Sequence, residues 1–80
     1  MKVVLKLPKL SMNMDEATLV TWHKKNGESF AAGDVLYSIE TEKVTSDVEA
    51  PCAGILLETM IAEGSEAEVG ASVCRIDKTD

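Results

Sequence analysis

Histidine and cysteine are scarce in this 80-residue chain: one histidine, His23, and two cysteines, Cys52 and Cys74, with no CxxC spacing. That excludes the usual zinc-ligand patterns and predicts two free thiols, buried or half-buried, in a reducing compartment. Basic charge is also short, with eight Lys+Arg against fourteen Asp+Glu and a formal net charge of −6. Nucleic-acid binding, which rests on clustered basic residues that neutralise phosphates, is therefore not expected. No run reaches the roughly 18 apolar residues that span a bilayer, so no membrane is expected as a partner. Nor does a long apolar run with a cleavage site follow Met1-Lys2, so no secretory signal is expected. Helical periodicity is missing throughout. The three aromatic residues, Trp22, Phe30 and Tyr37, are candidates for the core or its edge.

What is present is alternation punctuated by glycine. The chain is 45% hydrophobic and 28% charged, which places it among ordered domains rather than disordered ones. At this size a domain buries only about 60% of its unfolded surface and has no room for a deep substrate chamber. Val3–Leu7 alternates up to Pro8, Ala17–His23 is β-branched and aromatic, Asn26-Gly27 and Gly33-Asp34 signal turns, and Gly54–Met60 and Val73–Ile76 again resemble strands. Short strands with glycine turns predict an all-β sandwich or small barrel. The charge is uneven: residues 1–40 hold five basic and five acidic side chains, and residues 41–80 hold three basic and nine acidic ones. The acidic half suits either a solvated face or steering toward a basic partner.

The sequence also repeats. A shift of 37 residues places Gly27 on Gly64, Gly33 on Gly70, Leu19 on Leu56, Leu36 on Val73, Ile39 on Ile76 and Glu40 on Asp77. This predicts two copies of one strand–turn–loop–strand unit related by approximate twofold symmetry. They part company at the exit, where residues 41–44 of the first copy correspond to the end of the chain.

Val35–Glu49 contains no Gly, Pro or Asn. As one strand it would extend about 50 Å, in a domain expected to be only about 30 Å across. It must fold back, and parity says where. Val35, Tyr37 and Ile39 are apolar on odd positions; Val44, Val48 and Ala50 are apolar on even ones. Opposed residues share a face, so the turn must fall at Glu42-Lys43, with Tyr37 opposite Val48, Val35 opposite Ala50, Ser38 opposite Asp47, Glu40 opposite Thr45 and Thr41 opposite Val44. The tip lacks the Asn-Gly or Asp-Gly of primed hairpin turns, which makes a type I turn the expected geometry.

A lysine at such a tip should keep a pKa near 10.4, leaving only ~0.04% neutral at pH 7, so Lys43 is a poor nucleophile by itself. No Ser–His–Asp set, phosphate-binding glycine loop or metal cluster accompanies it, and no catalytic residue is assigned. The chain is not expected to be an enzyme on its own. A lysine held clear of its scaffold suits recognition or covalent modification by another enzyme, although exposed tips also carry charge merely for solubility.

Glu40-Thr41-Glu42-Lys43-Val44, followed by Val48-Glu49-Ala50-Pro51, resembles the modification segment of lipoyl domains, the carrier modules of 2-oxo acid dehydrogenase and acetoin complexes. Residues 12–22 and Gly33-Asp34-Val35-Leu36 resemble the amino-terminal half of the same family. Gly27 and Gly54 stand sixteen residues before and eleven after Lys43, where that family has glycines. The likeness runs from about Val4 to Ile76. It implies a flattened β-barrel, a barrel-sandwich hybrid of two four-stranded sheets, with the lysine on a hairpin tip. It also implies lipoate amide-linked to Lys43 by a lipoate–protein ligase or lipoyl transferase, carrying acyl groups and reducing equivalents as a swinging arm. The implied partners are a thiamine-diphosphate 2-oxo acid decarboxylase, the catalytic domain of a dihydrolipoamide acyltransferase and a flavin dihydrolipoamide dehydrogenase.

Glu40, Glu42, Val44 and Asp47 are the candidate recognition residues around Lys43, and Gly27 and Gly54 the structural ones: Gly27 for a positive φ, Gly54 for close backbone approach beside the hairpin. Met12 and Met14 fall in the loop after the first strand, which in the family lies near the hairpin, and are candidate partner contacts. His23 is expected to be a surface or strand residue. A biotinyl carrier shares the fold, but that family flanks its lysine with methionines, where Glu42 and Val44 stand here. An unmodified domain used only for protein contacts is the other alternative. Residues 1–77 are expected to form the carrier domain, monomeric in isolation, and residues 78–80 to begin a linker. The setting expected from the absence of a transit peptide is a bacterial or archaeal cytoplasm rather than a mitochondrial matrix.

Overall fold

Eight short strands follow from the alternation and its glycine breaks: β1 (Lys2–Lys6), β2 (Glu16–Trp22), β3 (Ser29–Phe30), β4 (Val35–Glu40), β5 (Thr45–Glu49), β6 (Gly54–Thr59), β7 (Glu66–Glu68) and β8 (Ser72–Lys78). The computed structural model describes residues 1–9, 12, 14–42 and 44–79. Two four-stranded antiparallel sheets form, in the orders β1-β8-β6-β3 and β5-β4-β2-β7. No ladder joins them among the described residues, so the flattened barrel is in fact an open sandwich, 34 × 21 × 17 Å in extent. The described residues include no helix, and thus none long and apolar enough to cross a membrane.

The repeat is a repeat of structure. β2, β3 and β4 correspond to β6, β7 and β8, and each takes the equivalent place in its sheet. Gly27 N–H donates to Leu56 O, and Gly64 N–H donates to Leu19 O, both at 2.6 Å. These two glycines sit at φ +89° and +87°, in turns that side chains rarely enter. The β-bulges also repeat. Val20 on β2 and Leu57 on β6 are the unpaired residues of one bulge pair, and Leu36 on β4 and Val73 on β8 those of the other.

The core lies between the sheets. Leu19, Leu36, Tyr37 and Ile39 from one sheet meet Leu56, Val73, Cys74 and Ile76 from the other, all of them buried. Fully burying an aliphatic side chain of this size stabilises by about 1.5–3 kcal/mol, so this row is what holds the sandwich shut. Phe30 and Tyr37 are buried; Trp22 is half-buried and tilts against Tyr37 with ring centroids 5.0 Å apart.

Several expectations need correcting. Val35 pairs with Glu49, not Ala50, because Leu36 bulges out of the ladder; Leu36, Tyr37, Ser38 and Ile39 are consecutively buried, which strict alternation does not allow. Gly54 makes its close approach to β8 and not beside the hairpin: a Cβ there would lie 2.7 Å from Asp77 O and 3.3 Å from the Phe30 ring. Met14 is buried, whereas Met12 is 91% exposed, so the contact expected of both does not fit Met14. β8 runs through Lys78, and Thr79 N–H donates to Ala53 O, so ordered structure continues into the segment read as the start of a linker.

Candidate functional site

The turn after β4 is built as parity requires. Tyr37 faces Val48, Ser38 faces Asp47, Ile39 faces Ser46 and Glu40 faces Thr45. Thr41 then closes the loop, its N–H donating to Val44 O at 2.8 Å and its hydroxyl donating to the same oxygen at 3.3 Å. Glu42 is the described residue inside this closure. Lys43 lies outside the described residues. Glu42 has no positive φ, since no described residue other than glycine does, and that excludes the primed turns that demand one at this position.

Glu40, Glu42 and Asp47 are exposed around this turn, as is Val44 at 56%. Glu40, Thr41 and Glu42 also line a shallow open groove with Glu16, Ala17, Thr18 and Glu66. The surface beside the tip is thus acidic and has the form of a face, not a chamber. Among the described residues no group of three or more His, Cys, Asp or Glu side chains is placed to hold a metal ion.

One hydrogen-bonded chain at the root of the hairpin goes beyond what the sequence showed. Ser38 Oγ donates to Asp47 Oδ1 at 2.7 Å, and His23 Nε2 lies 2.8 Å from the same hydroxyl. Parity placed Ser38 opposite Asp47. It could not place His23, because the bulge at Val20 shifts the β2–β4 register just before it. The serine is buried, while both of its partners are exposed.

The thiols are free, Cys52 half-buried and Cys74 fully buried. Burial pushes the Cys74 thiol up to about 11, leaving it inert near neutrality. Burial also pushes the Tyr37 phenol far above its ordinary range, with Cys74 adding to the effect.

Comparison with known proteins agrees with this geometry. A family model described as "Biotin-requiring enzyme", covering biotin and lipoyl domains, matches residues 3–76. The dihydrolipoyllysine-residue succinyltransferase component of the 2-oxoglutarate dehydrogenase complex of Rickettsia conorii is 38% identical over 98% of this chain and 20% of its own length. The dihydrolipoyllysine-residue acetyltransferase component of the acetoin cleaving system of Bacillus subtilis is 36% identical over 95% of this chain and 19% of its own. The chain therefore spans about a fifth of the length of these curated relatives. The lipoyl domain of the 2-oxoglutarate dehydrogenase complex of Azotobacter vinelandii superposes with a TM-score of 0.78 at 28% identity, over 98% of this chain and 99% of that one. A domain within a long-chain acyl-CoA carboxylase shares the fold alone, with a TM-score of 0.81 at 20% identity over 99% of this chain and 7% of that one. Matched by the family model over nearly its whole length and aligned from end to end with a lipoyl domain, the chain belongs to the biotin/lipoyl family as a lipoyl-type carrier domain.

Proposed function

We propose that Lys43 is the attachment point for lipoate, and that the domain shuttles acyl groups within a 2-oxo acid dehydrogenase complex. The observation that carries this reading is the β4–β5 hairpin, whose two-residue tip is closed by Thr41 and Val44 and flanked by exposed side chains. A tip of this kind suits an amide-linked group: the turn is fixed by backbone bonds, and its neighbours lie open to an approaching enzyme. Lipoate there would supply the dithiolane that takes the acyl group and electrons from a thiamine-diphosphate decarboxylase, passing them to an acyltransferase and a flavin dehydrogenase.

The chain's own residues supply presentation. Tethering raises the effective concentration of the carried group at each active site without tight binding. Amidation removes the lysine charge, taking the formal net charge from −6 to about −7 and leaving the tip acidic. Glu40, Glu42, Val44 and Asp47 form the surface read by the lipoate–protein ligase and the decarboxylase. Lipoate is favoured over biotin by Glu42 and Val44, which stand where biotinyl carriers have methionine. The proposed setting is a bacterial or archaeal cytoplasm; the relatives include bacterial components, from Rickettsia and Bacillus, and mitochondrial ones, from Chaetomium thermophilum and Caenorhabditis elegans.

Intact and tryptic mass spectrometry after incubation with lipoate–protein ligase, lipoate and ATP tests this. One lipoyl adduct at Lys43, absent from Lys43→Gln, is the expected result. No adduct on the folded domain overturns it, and an adduct formed only with biotin and a biotin ligase moves the domain to the biotinyl branch.

A further inference from the structure

The His23–Ser38–Asp47 chain has a cost and no evident structural purpose. Ser38 sits between Tyr37 and Ile39 in a buried stretch of β4, where a hydroxyl is unfavourable unless hydrogen-bonded. The fold does not require it there. In the second copy the places of His23, Ser38 and Asp47 are held by Met60, Arg75 and Val4, with Arg75 paired to Val4 as Ser38 is to Asp47. That copy has the same backbone bonds: Met60 N–H donates to Val73 O and His23 N–H to Leu36 O, each at 2.8 Å. The polar chain is thus specific to the copy that carries the lysine hairpin.

Its chemistry sets its direction. An ionised carboxylate only accepts, so the single Ser38 proton goes to Asp47 Oδ1. The Ser38 oxygen must then accept from His23 Nε2–H, which holds whether the ring is neutral or charged. The serine is therefore not an activated nucleophile; its proton is directed away from the imidazole and toward the carboxylate. Among the carboxylates flanking the turn, Glu40, Glu42, Asp47 and Glu49, only Asp47 is held by a side-chain hydrogen bond among the described residues.

We infer that His23 and Ser38 are positioning residues, which fix the Asp47 carboxylate as an oriented acceptor for a cationic side chain of the enzyme that modifies Lys43. This rests on the lipoyl reading and deepens it. A carboxylate already held in one orientation loses less freedom on docking than the free glutamates of the tip, and a charge-assisted pair to arginine depends on that orientation.

The test is steady-state lipoylation of the whole domain by lipoate–protein ligase, with Ser38→Ala, His23→Gln and Asp47→Asn singly and Ser38→Ala combined with Asp47→Asn. Asp47→Asn should raise KM for the domain about tenfold with kcat kept, and weaken the dependence of KM on salt. Ser38→Ala and His23→Gln should each raise KM about threefold, and Ser38→Ala should have no further effect in the Asp47→Asn background. Trp22 fluorescence and thermal unfolding show that the variants are folded, and Ser38→Thr, which keeps the hydroxyl, should restore the KM. Equal effects of Ser38→Ala with and without Asp47→Asn, or a KM within about twofold of the parent for Asp47→Asn, overturn the inference. An unmodified parent overturns the lipoyl reading and this one with it; a modified parent with unaffected variants overturns this one alone.

Discussion

The two copies of the repeat share a backbone, their turn glycines and a row of aliphatic core residues, but not their large side chains. Both have a glycine turn near φ +90°, the same two bulges and reciprocal hydrogen bonds between Gly27 and Leu56 and between Gly64 and Leu19. Yet the first copy holds Trp22, Phe30 and Tyr37 where the second holds Thr59, Ala67 and Cys74. The large residues of one copy complement the small ones of the other. Phe30 pairs with Gly54, whose missing Cβ leaves room for the ring, while the equivalent pair is Ala67 with Ala17. Two identical copies would either overfill the core or leave a void, and each is destabilising. The exits differ as well. Lys78 N–H donates to Met1 O at 2.7 Å, as Thr41 N–H does to Val44 O at 2.8 Å, so the second copy has the base of the hairpin without its tip. The Met1 ammonium holds that open end, donating to Asp77 Oδ1 at 2.9 Å and to Lys78 O at 3.0 Å. Symmetry supplies the frame, and the proposed lipoylation site occupies the place where it is broken.

The comparison breaks most sharply at the core. Tyr37→Ala should cost about 3–5 kcal/mol in urea unfolding, enough to unfold most of so small a domain, whereas Cys74→Ala at the equivalent position should cost far less. Equal losses would mean that the copies do not divide the core as described. Next comes Gly54→Ala, which drives a Cβ against the backbone of β8 and should cost about 1–3 kcal/mol. The reverse change at the matching position, Ala17→Gly, should cost no more than about 1 kcal/mol.

Gly27→Ala and Gly64→Ala sharpen the symmetry itself. Nothing lies within 4 Å of either added Cβ, so only the positive φ is penalised. Each change should cost about 1–2 kcal/mol, and the two costs should match within about 0.5 kcal/mol. The smallest effect is alkaline. Cys74 is raised by burial from 9.0 to about 11, so folding favours its protonated form. That contribution is complete below pH 9 and is lost as pH climbs toward 11, about 1 kcal/mol by pH 10. Cys74→Ala should flatten the decline in denaturation midpoint over that window; Tyr37, shifted in the same direction, leaves a residue of it.

The hairpin was legible because parity is a strict rule: the change from odd to even apolar positions allows one register, and the ladder from Tyr37–Val48 to Glu40–Thr45 follows it. The repeat was legible from its glycines for a similar reason, since few residues tolerate their φ. β3 and β7, of two and three residues, were not, because strands so short show no alternation. Neither were the bulges at Leu36 and Val20, which are imposed by the curvature of paired strands and leave no mark in local composition. For the same reason the sequence placed Ser38 across from Asp47 but left His23 without a partner.

The sequence by itself determined the all-β class, the twofold repeat and the turn at Glu42-Lys43, because periodicity, backbone tolerance and chain length act locally. Only the tertiary structure decided that Gly54 is crowded by β8 and Phe30, that Met14 is buried while Met12 is exposed, and that His23 reaches Asp47 through Ser38. Each of these depends on which strands become neighbours and by how many residues a bulge displaces them, and that is fixed by packing between segments distant in the chain.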